Sequence, residues 1–299
     1  MKLYIHTIND DVGYDAQLFR REFEEFLTKS SSQSIDVVGR LDIADRVIVI
    51  DMHMNGTRRS YSRLGQLREY KNNWKRFIVY DESDAPNVFG TGLFVSQPKP
   101  FFNITRHVAI PYWSTPLGNV DCDKQGANEH HLMSFRGNTR THRVRNKLSK
   151  VSFEGYRFHD TQRITGGEGI SAEDLRSGYI KLIMQSRWSL CPRGYGTASF
   201  RLYETLMLGA SPVLISDNFV QPSVLGGYNI VKLREQQVTS KSLIAIANSN
   251  PSNYIRLTRE TMSQAFVKAI HDCPVPTVEL TDSRCNLNSV LWRLFRRLL

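Results

Sequence analysis

Apolar and polar residues alternate along residues 2–8 (Lys-Leu-Tyr-Ile-His-Thr-Ile), which predicts a strand close to the amino terminus. The period then changes. Leu18, Phe19, Phe23, Phe26 and Leu27 recur at helical spacing, so residues 15–29 are expected to form an amphipathic helix. A short strand at 35–38 follows, and then two runs that are apolar without alternation, Val47 to Ile50 and Phe77 to Tyr80, with a helical stretch at 62–73 between them. Unbroken apolar runs of this length belong to strands covered on both faces. Residues 88–95 and 107–110 supply further short strands. Residues 111–130 lose periodicity and carry turn chemistry at Pro111, Pro116 and Gly118, which marks a junction.

A second series starts beyond it. Strands are expected at 132–135 and 156–159, a basic helix at 141–150, a glycine-rich loop at 166–169, and a helix from Ser171 to about Gln185 opened by the capping pattern Ser-Ala-Glu-Asp. Residues 187–217 read as strand, tight loop, helix, turn and strand. A strand near 229–233 and helices at 240–248, 251–271 and 287–299 complete the chain. Strands alternating with helices indicate α/β architecture built on parallel sheets. The expected division is an N-terminal Rossmann-like domain at 1–125, a C-terminal Rossmann-like domain at 126–285 and a last helix at 286–299.

Composition narrows the class. Of 299 residues, 40% are apolar and 23% charged, a globular balance. The net charge of +10 favours an anionic partner: nucleic acid, a membrane surface or a phosphate-bearing small molecule. Surplus solvated lysine and arginine would give the same number. The charge is spread along the chain, its densest cluster (Arg136 to Lys150) is short, and no nucleic-acid reading module is recognisable, so a nucleic-acid partner is not expected. Four cysteines without a CxxC pair argue against a zinc site and require no disulfide framework. No export signal and no run of apolar residues long enough to span a bilayer is visible, so a cytoplasmic, soluble protein is expected. The apolar, arginine-rich tail from Leu287 to Leu299 is compatible with peripheral contact to an anionic membrane and equally with a helix packed on the fold.

Two groups of residues could carry chemistry. In Cys191-Pro-Arg-Gly-Tyr-Gly-Thr-Ala-Ser199, Gly194 and Gly196 permit close backbone approach, Ser199 or Thr197 can open the next helix, and Arg193 offers a fork of donors. A helix N-terminus beside an arginine suits a diphosphate. No Walker lysine follows and GxGxxG is absent. Arg201 and Glu204 are three apart and share a helix face, where they could be ligands or an ordinary surface pair. The second group lies where ligands gather in open α/β sheets, at strand ends: Asp10, Asp51, His53, Asp81 and Glu82. Any one of these could instead cap a turn.

The stretch Ser186 to Asp217 closely resembles the exostosin-type glycosyltransferases, whose signature runs L-C-P-R-G, then S-x-R-L-x-E-A, then G-x-x-P-V-x-x-S-D. Ala44-Asp-Arg-Val-Ile-Val-Ile, Phe77 to Asp81, Val108-Ala-Ile-Pro and Leu132 to Gly137 are similar to further stretches of that family, with Tyr80 where histidine is usual. The resemblance implies a GT-B fold of two Rossmann-like domains facing across a cleft, and an inverting enzyme that needs no metal or other cofactor. It implies a nucleotide-sugar donor, usually a UDP-sugar, and a glycan acceptor. Carried onto this chain, Glu204 would hold the ribose; Arg193, Arg201, Ser199 and the Gly194-Tyr195-Gly196 backbone would hold the diphosphate; Arg136 and Gly137 would face the same site. Inversion needs a base, for which Asp81 is the first candidate, with Asp51, His53, Glu82 and Asp10 as competitors. The compact form is similar to soluble members from bacteria and large algal viruses, which makes UDP-xylose the first donor to try. A non-catalytic glycan- or nucleotide-binding protein of the same fold is the alternative.

Overall fold

The computed structural model describes residues 1–7, 16–29, 34–50, 64–84, 86–113, 129–162, 171–251 and 255–280. Asp10, Asp51, His53, the glycine-rich loop at 166–169 and the tail from Leu287 lie outside the described residues. Within the chain, contacts define two units. Unit 1 gathers Met1–Trp113, Asn218–Gly226 and the stretch from Arg259; unit 2 holds Ser114–Asp217 and Gly227–Thr258.

Unit 1 is built on a six-stranded sheet in the order β2-β1-β3-β4-β5-β6. Its strands are β1 (Lys2–Thr7), β2 (Asp36–Val37), β3 (Arg46–Ile50), β4 (Phe77–Asp81), β5 (Gly92–Phe94) and β6 (His107–Ala109), and every pairing is parallel. The two apolar runs of the sequence are the central strands β3 and β4, and Phe77 to Asp81 are all buried. One face of the sheet packs Val47, Val49, Phe77, Val79 and Phe94 with Tyr70 of α2 (Arg68–Asn72). The other carries α1 (Ala16–Thr28) and α7 (Arg259–Asp272), where Phe23, Phe26, Tyr80, Trp113 and Phe266 stack. Gly92 is obligatory, because a Cβ there would lie 1.9 Å from the Val79 carbonyl oxygen. Residues from Thr261 to Asp272 on α7 border a cavity of about 320 Å³ with Val108 to Pro111 and Pro222 to Val224.

Unit 2 has a five-stranded sheet in the order β11-β10-β9-β7-β8. The strands are β7 (His131–Gly137), β8 (Tyr156–Asp160), β9 (Ser186–Pro192), β10 (Ser211–Ile215) and β11 (Val231–Lys232), again all parallel. Met133, Phe135, Trp188, Leu190, Val213 and Ile215 form the core against α3 (Arg143–Leu148) and α6 (Ser240–Ala247). The helices α4 (Ala172–Met184) and α5 (Phe200–Met207) complete the unit, with Ile183, Leu208 and Ala210 in a second cluster. Two parallel α/β units are the fold class expected from the sequence.

Differences from the expected elements have local causes. The helix expected over 251–271 starts only at Arg259. Before it, Arg256 Nε and the Leu257 N–H donate to the Met207 and Leu206 carbonyls, so these residues finish α5 instead of starting a helix. The helix itself packs in unit 1, where Ser263 Oγ donates to the Phe26 carbonyl at 2.6 Å, although its position in the chain suggested the C-terminal domain. Among the described residues no helix is long and apolar enough to cross a membrane. Cys191 and Cys273 are both buried free thiols, which burial pushes up to about 11 and about 12.

Candidate functional site

In unit 2 the carboxyl ends of β7 and β9, with α4 and α5, bring polar side chains together. Two glycines make room for two arginines. A Cβ on Gly137, the last residue of β7, would lie 3.0 Å from Arg201 Nη2. A Cβ on Gly178 inside α4 would lie 2.8 Å from Arg136 Nη1. A helix-interior glycine costs stability, and here it admits a guanidinium. The Arg201 guanidinium lies between two rings, 4.6 Å from the Phe135 centroid and 5.4 Å from that of Tyr179. The electron-rich ring faces hold such a cation in place.

Glu204 follows one turn along α5 and is 3% exposed. The Tyr179 hydroxyl donates to Glu204 Oε2 at 2.6 Å, a short bond to a buried carboxylate. Burial, with the neighbouring carboxylate, raises the Tyr179 phenol well above its ordinary range, so it is a donor at every working pH. Behind α5, Thr205 Oγ1 donates to Ser189 Oγ at 3.1 Å and lies 3.6 Å from Cys191 Sγ, fixing the helix to β9.

The loop between β9 and α5 holds the other predicted residues. Ser199 is the N-cap of α5 with extended backbone, and its side chain makes no capping bond. Tyr195 is 53% exposed. Arg193, by contrast, is 0% exposed. Its Nη2 donates to the Tyr195 carbonyl at 3.0 Å, and its Nη1 is 3.8 Å from Glu235 Oε1. Glu235 also accepts from the Asp217 N–H (3.2 Å) and returns its own N–H to Asp217 Oδ1 (3.0 Å). Arg145 of α3 donates from Nε to the Arg193 carbonyl (2.8 Å), from Nη2 to that of Pro192 (3.2 Å) and from Nη1 to that of Asn138 (3.2 Å). His142 caps α3 through Nδ1, which accepts the Val144 N–H at 3.3 Å. Burial, aided by Arg193 and the neighbouring cations, pushes it down to about 4, so it is neutral.

Arg136, Gly137, Arg201 and Glu204 are therefore gathered at the end of β7, and Arg145 ties the loop of Arg193, Gly194, Tyr195, Gly196 and Ser199 to the same strand end. Sequence reasoning missed Phe135 and Tyr179, which set Arg201 and Glu204, Gly178, which makes room for Arg136, and Arg145 and Glu235, which set the loop. Gly178 was the one available signal, an isolated glycine within a helical pattern.

In unit 1, Asp81 ends β4 and is 5% exposed. Its Oδ1 accepts the Ser83 N–H at 2.8 Å and its Oδ2 accepts from Asn87 Nδ2 at 3.1 Å. Next to it Glu82, half-buried, accepts a hydrogen bond from the Tyr80 hydroxyl. Burial raises the Glu82 carboxyl to about 7; the Tyr80 bond opposes this and the Asp81 charge adds to it. Asp51 and His53 follow β3 outside the described residues. Among the described residues no group of three or more histidine, cysteine, aspartate or glutamate side chains could hold a metal ion.

Comparisons with known proteins agree with the motif reading. The Exostosin GT47 domain matches residues 62–230, more than half of the chain. Exostosin-1 of Drosophila melanogaster is 28% identical over 130 residues, which cover 39% of this chain and 17% of that protein. A probable glycosyltransferase of Arabidopsis thaliana is 42% identical over 52 residues, covering 17% of this chain and 11% of that one. The matches thus span less than a fifth of either relative. Among solved structures, the T4 phage β-glucosyltransferase aligns over 99% of both chains at 10% identity and a TM-score of 0.39. Acinetobacter baumannii MurG aligns over 97% of this chain and 99% of its own at 10% identity and a TM-score of 0.38. By its sequence and its two α/β units, this chain belongs to the exostosin GT47 family of glycosyltransferases.

Proposed function

We propose that the chain transfers a sugar, with inversion, from a UDP-sugar to a hydroxyl of a glycan acceptor, without a metal ion. The observation that carries the reading is the Tyr179–Glu204 hydrogen bond, with Glu204 buried, beside Arg201 and its two ring contacts, at a strand end inside the family-matched region. A carboxylate has lone pairs suited to accepting hydrogen bonds from two vicinal ribose hydroxyls. Arg201 and Arg136, with the amides of the Gly194-Tyr195-Gly196 loop and the Ser199 hydroxyl, supply positive potential for the diphosphate. That potential counts most in the transition state, where charge builds on the departing UDP.

The acceptor hydroxyl must lose its proton as it attacks the anomeric carbon. Asp81, the first expectation, already receives hydrogen bonds on both oxygens. Glu82 suits the base better, because a carboxyl raised to about 7 takes up a proton readily yet is substantially ionised at neutral pH. The sugar follows from no feature described above; xylose, suggested by the compact form of the chain, is the first to test.

The test is a donor screen. UDP-sugars are added one at a time, protection against heat is measured, and the protected donors are offered an acceptor panel in excess chelator. Product of inverted anomeric configuration is expected. Protection without turnover on any acceptor points to a binding protein; turnover abolished by chelator refutes the metal-free mechanism.

A further inference from the structure

The geometry points to Arg193 and Arg145 as positioning residues: they turn the Gly194 and Gly196 amides toward the donor diphosphate, and Arg193 does not grip the phosphates itself. The inference rests on the proposed donor reading and revises the role that the family resemblance implies for Arg193.

Across a planar trans peptide, the carbonyl of one residue and the N–H of the next point in opposite directions. The Arg193 carbonyl is drawn to Arg145 Nε at 2.8 Å, so the Gly194 N–H faces away from Arg145. The Tyr195 carbonyl is drawn to Arg193 Nη2 at 3.0 Å, so the Gly196 N–H faces away from Arg193. Arg193 is fully buried, and Arg145 takes the Pro192 and Asn138 carbonyls as well. Loop amides turned away from the side chains that hold their carbonyls are free to face an anion, as in backbone anion-binding concavities. Gly194 suits this arrangement, since a Cβ there would come within 3.3 Å of Arg145 Nη2.

The brace is anchored at its far end. Glu235 faces Arg193 Nη1 at 3.8 Å and is joined to Asp217 by two reciprocal hydrogen bonds, while the Arg193 N–H donates to the Ile215 carbonyl at 3.0 Å. The ends of β7, β9 and β10 are thereby fastened together through Arg145, Arg193 and Glu235. The Arg193 side chain is fully buried, so to reach a ligand it would have to give up its bond to the Tyr195 carbonyl and its ion pair with Glu235.

Glu235 supplies a test of opposite sign for the two roles. If Arg193 gripped the diphosphate, Glu235→Gln would release its charge and tighten UDP binding. If Arg193 is a brace, Glu235→Gln slackens the loop. Calorimetry of UDP and of uridine on the full chain is expected to show UDP weakened by about tenfold, roughly 1.4 kcal/mol, with uridine little changed and Glu235→Asp partly restoring affinity. Arg145→Lys, which keeps the charge and loses the fork, is expected to act like Glu235→Gln. Hydrogen exchange of the ligand-free protein provides a readout independent of nucleotide: amides of residues 194–199 should exchange faster in Glu235→Gln and Arg145→Lys than in wild type. Unchanged or tighter UDP binding, or unchanged exchange in both variants, overturns the inference. Should the wild type bind no UDP, the donor reading falls, and exchange alone decides whether the brace exists. Where Glu235→Gln does not fold, Arg145→Lys and Glu235→Asp decide by the same two readouts.

Discussion

Tyr179→Phe removes a single oxygen from the candidate site. The phenyl ring stays, and with it the contact between Arg201 and the ring at 5.4 Å. What is lost is the 2.6 Å bond to Glu204 Oε2. Glu204 is buried, so water does not readily replace the missing donor. Hydrogen bonds to charged groups contribute about 1.5–3 kcal/mol, and a buried acceptor left short of a partner sits at the upper part of that range. We expect a loss of about 2 kcal/mol in unfolding free energy, which lowers the melting temperature by roughly 3 °C in a chain of this size. The same change frees the carboxylate to rotate, so UDP-sugar affinity should fall by about tenfold. The assay is a double-mutant cycle of Tyr179→Phe with Glu204→Gln, read by urea unfolding and by donor binding. A coupling energy of at least about 1 kcal/mol is expected, because the hydroxyl is worth less beside a neutral amide. Coupling below about 0.5 kcal/mol would refute the view that the phenol sets the carboxylate.

Other expectations are more easily stated. Glu82→Gln should reduce kcat by about a hundredfold or more while donor affinity holds, and wild-type turnover should fall as the pH drops through about 7, since a base must be unprotonated to act. His107, 2% exposed and pushed down to about 4 mainly by burial, is neutral in the folded chain. Its unfolded value near 6.5 is higher, so its contribution is complete above that pH and is lost as the pH falls toward 4. The displacement corresponds to roughly 3 kcal/mol, and urea unfolding of wild type and His107→Gln at pH 7 and pH 4.5 should show a weaker acid dependence in the variant. Gly92→Ala, whose Cβ would meet the Val79 carbonyl oxygen at 1.9 Å, should leave unit 1 unfolded; normal circular dichroism and melting would contradict this.

The fold was legible where burial is two-sided and continuous. Val47 to Ile50 and Phe77 to Tyr80 can only be central strands, and both are. The stretch 187–217 was legible because glycine, a capping residue and helical spacing fall in a fixed order, and it forms β9, α5 and β10 as expected. What escaped depends on distance along the chain. Tyr179 and Glu204 are 25 residues apart, and Arg145 meets Arg193 across 48, separations at which no periodicity connects residue types. The direction in which a side chain points is equally hidden. An arginine beside glycines suggests a phosphate ligand whether it faces inward or outward, and at Arg193 only the fold reveals the carbonyls that turn it inward. Residues 255–258 deceived for a related reason: the α5 carbonyls they satisfy lie some 50 residues earlier.

The pieces of unit 1 are made at very different times. A ribosome adds about 5–20 residues per second, so Phe266 follows Phe26 by roughly ten to fifty seconds. During that interval the face of α1 that will pack against α7 at a ring distance of 5.1 Å has no helix to cover it. Most of unit 2 emerges in the meantime and can close its own sheet, because β7 to β11 all precede α7. The half synthesised first is therefore completed last. A nascent chain stalled before Arg259 should present the aromatic surface of Phe23 and Phe26 to chaperones, even with the five strands of unit 2 already in place.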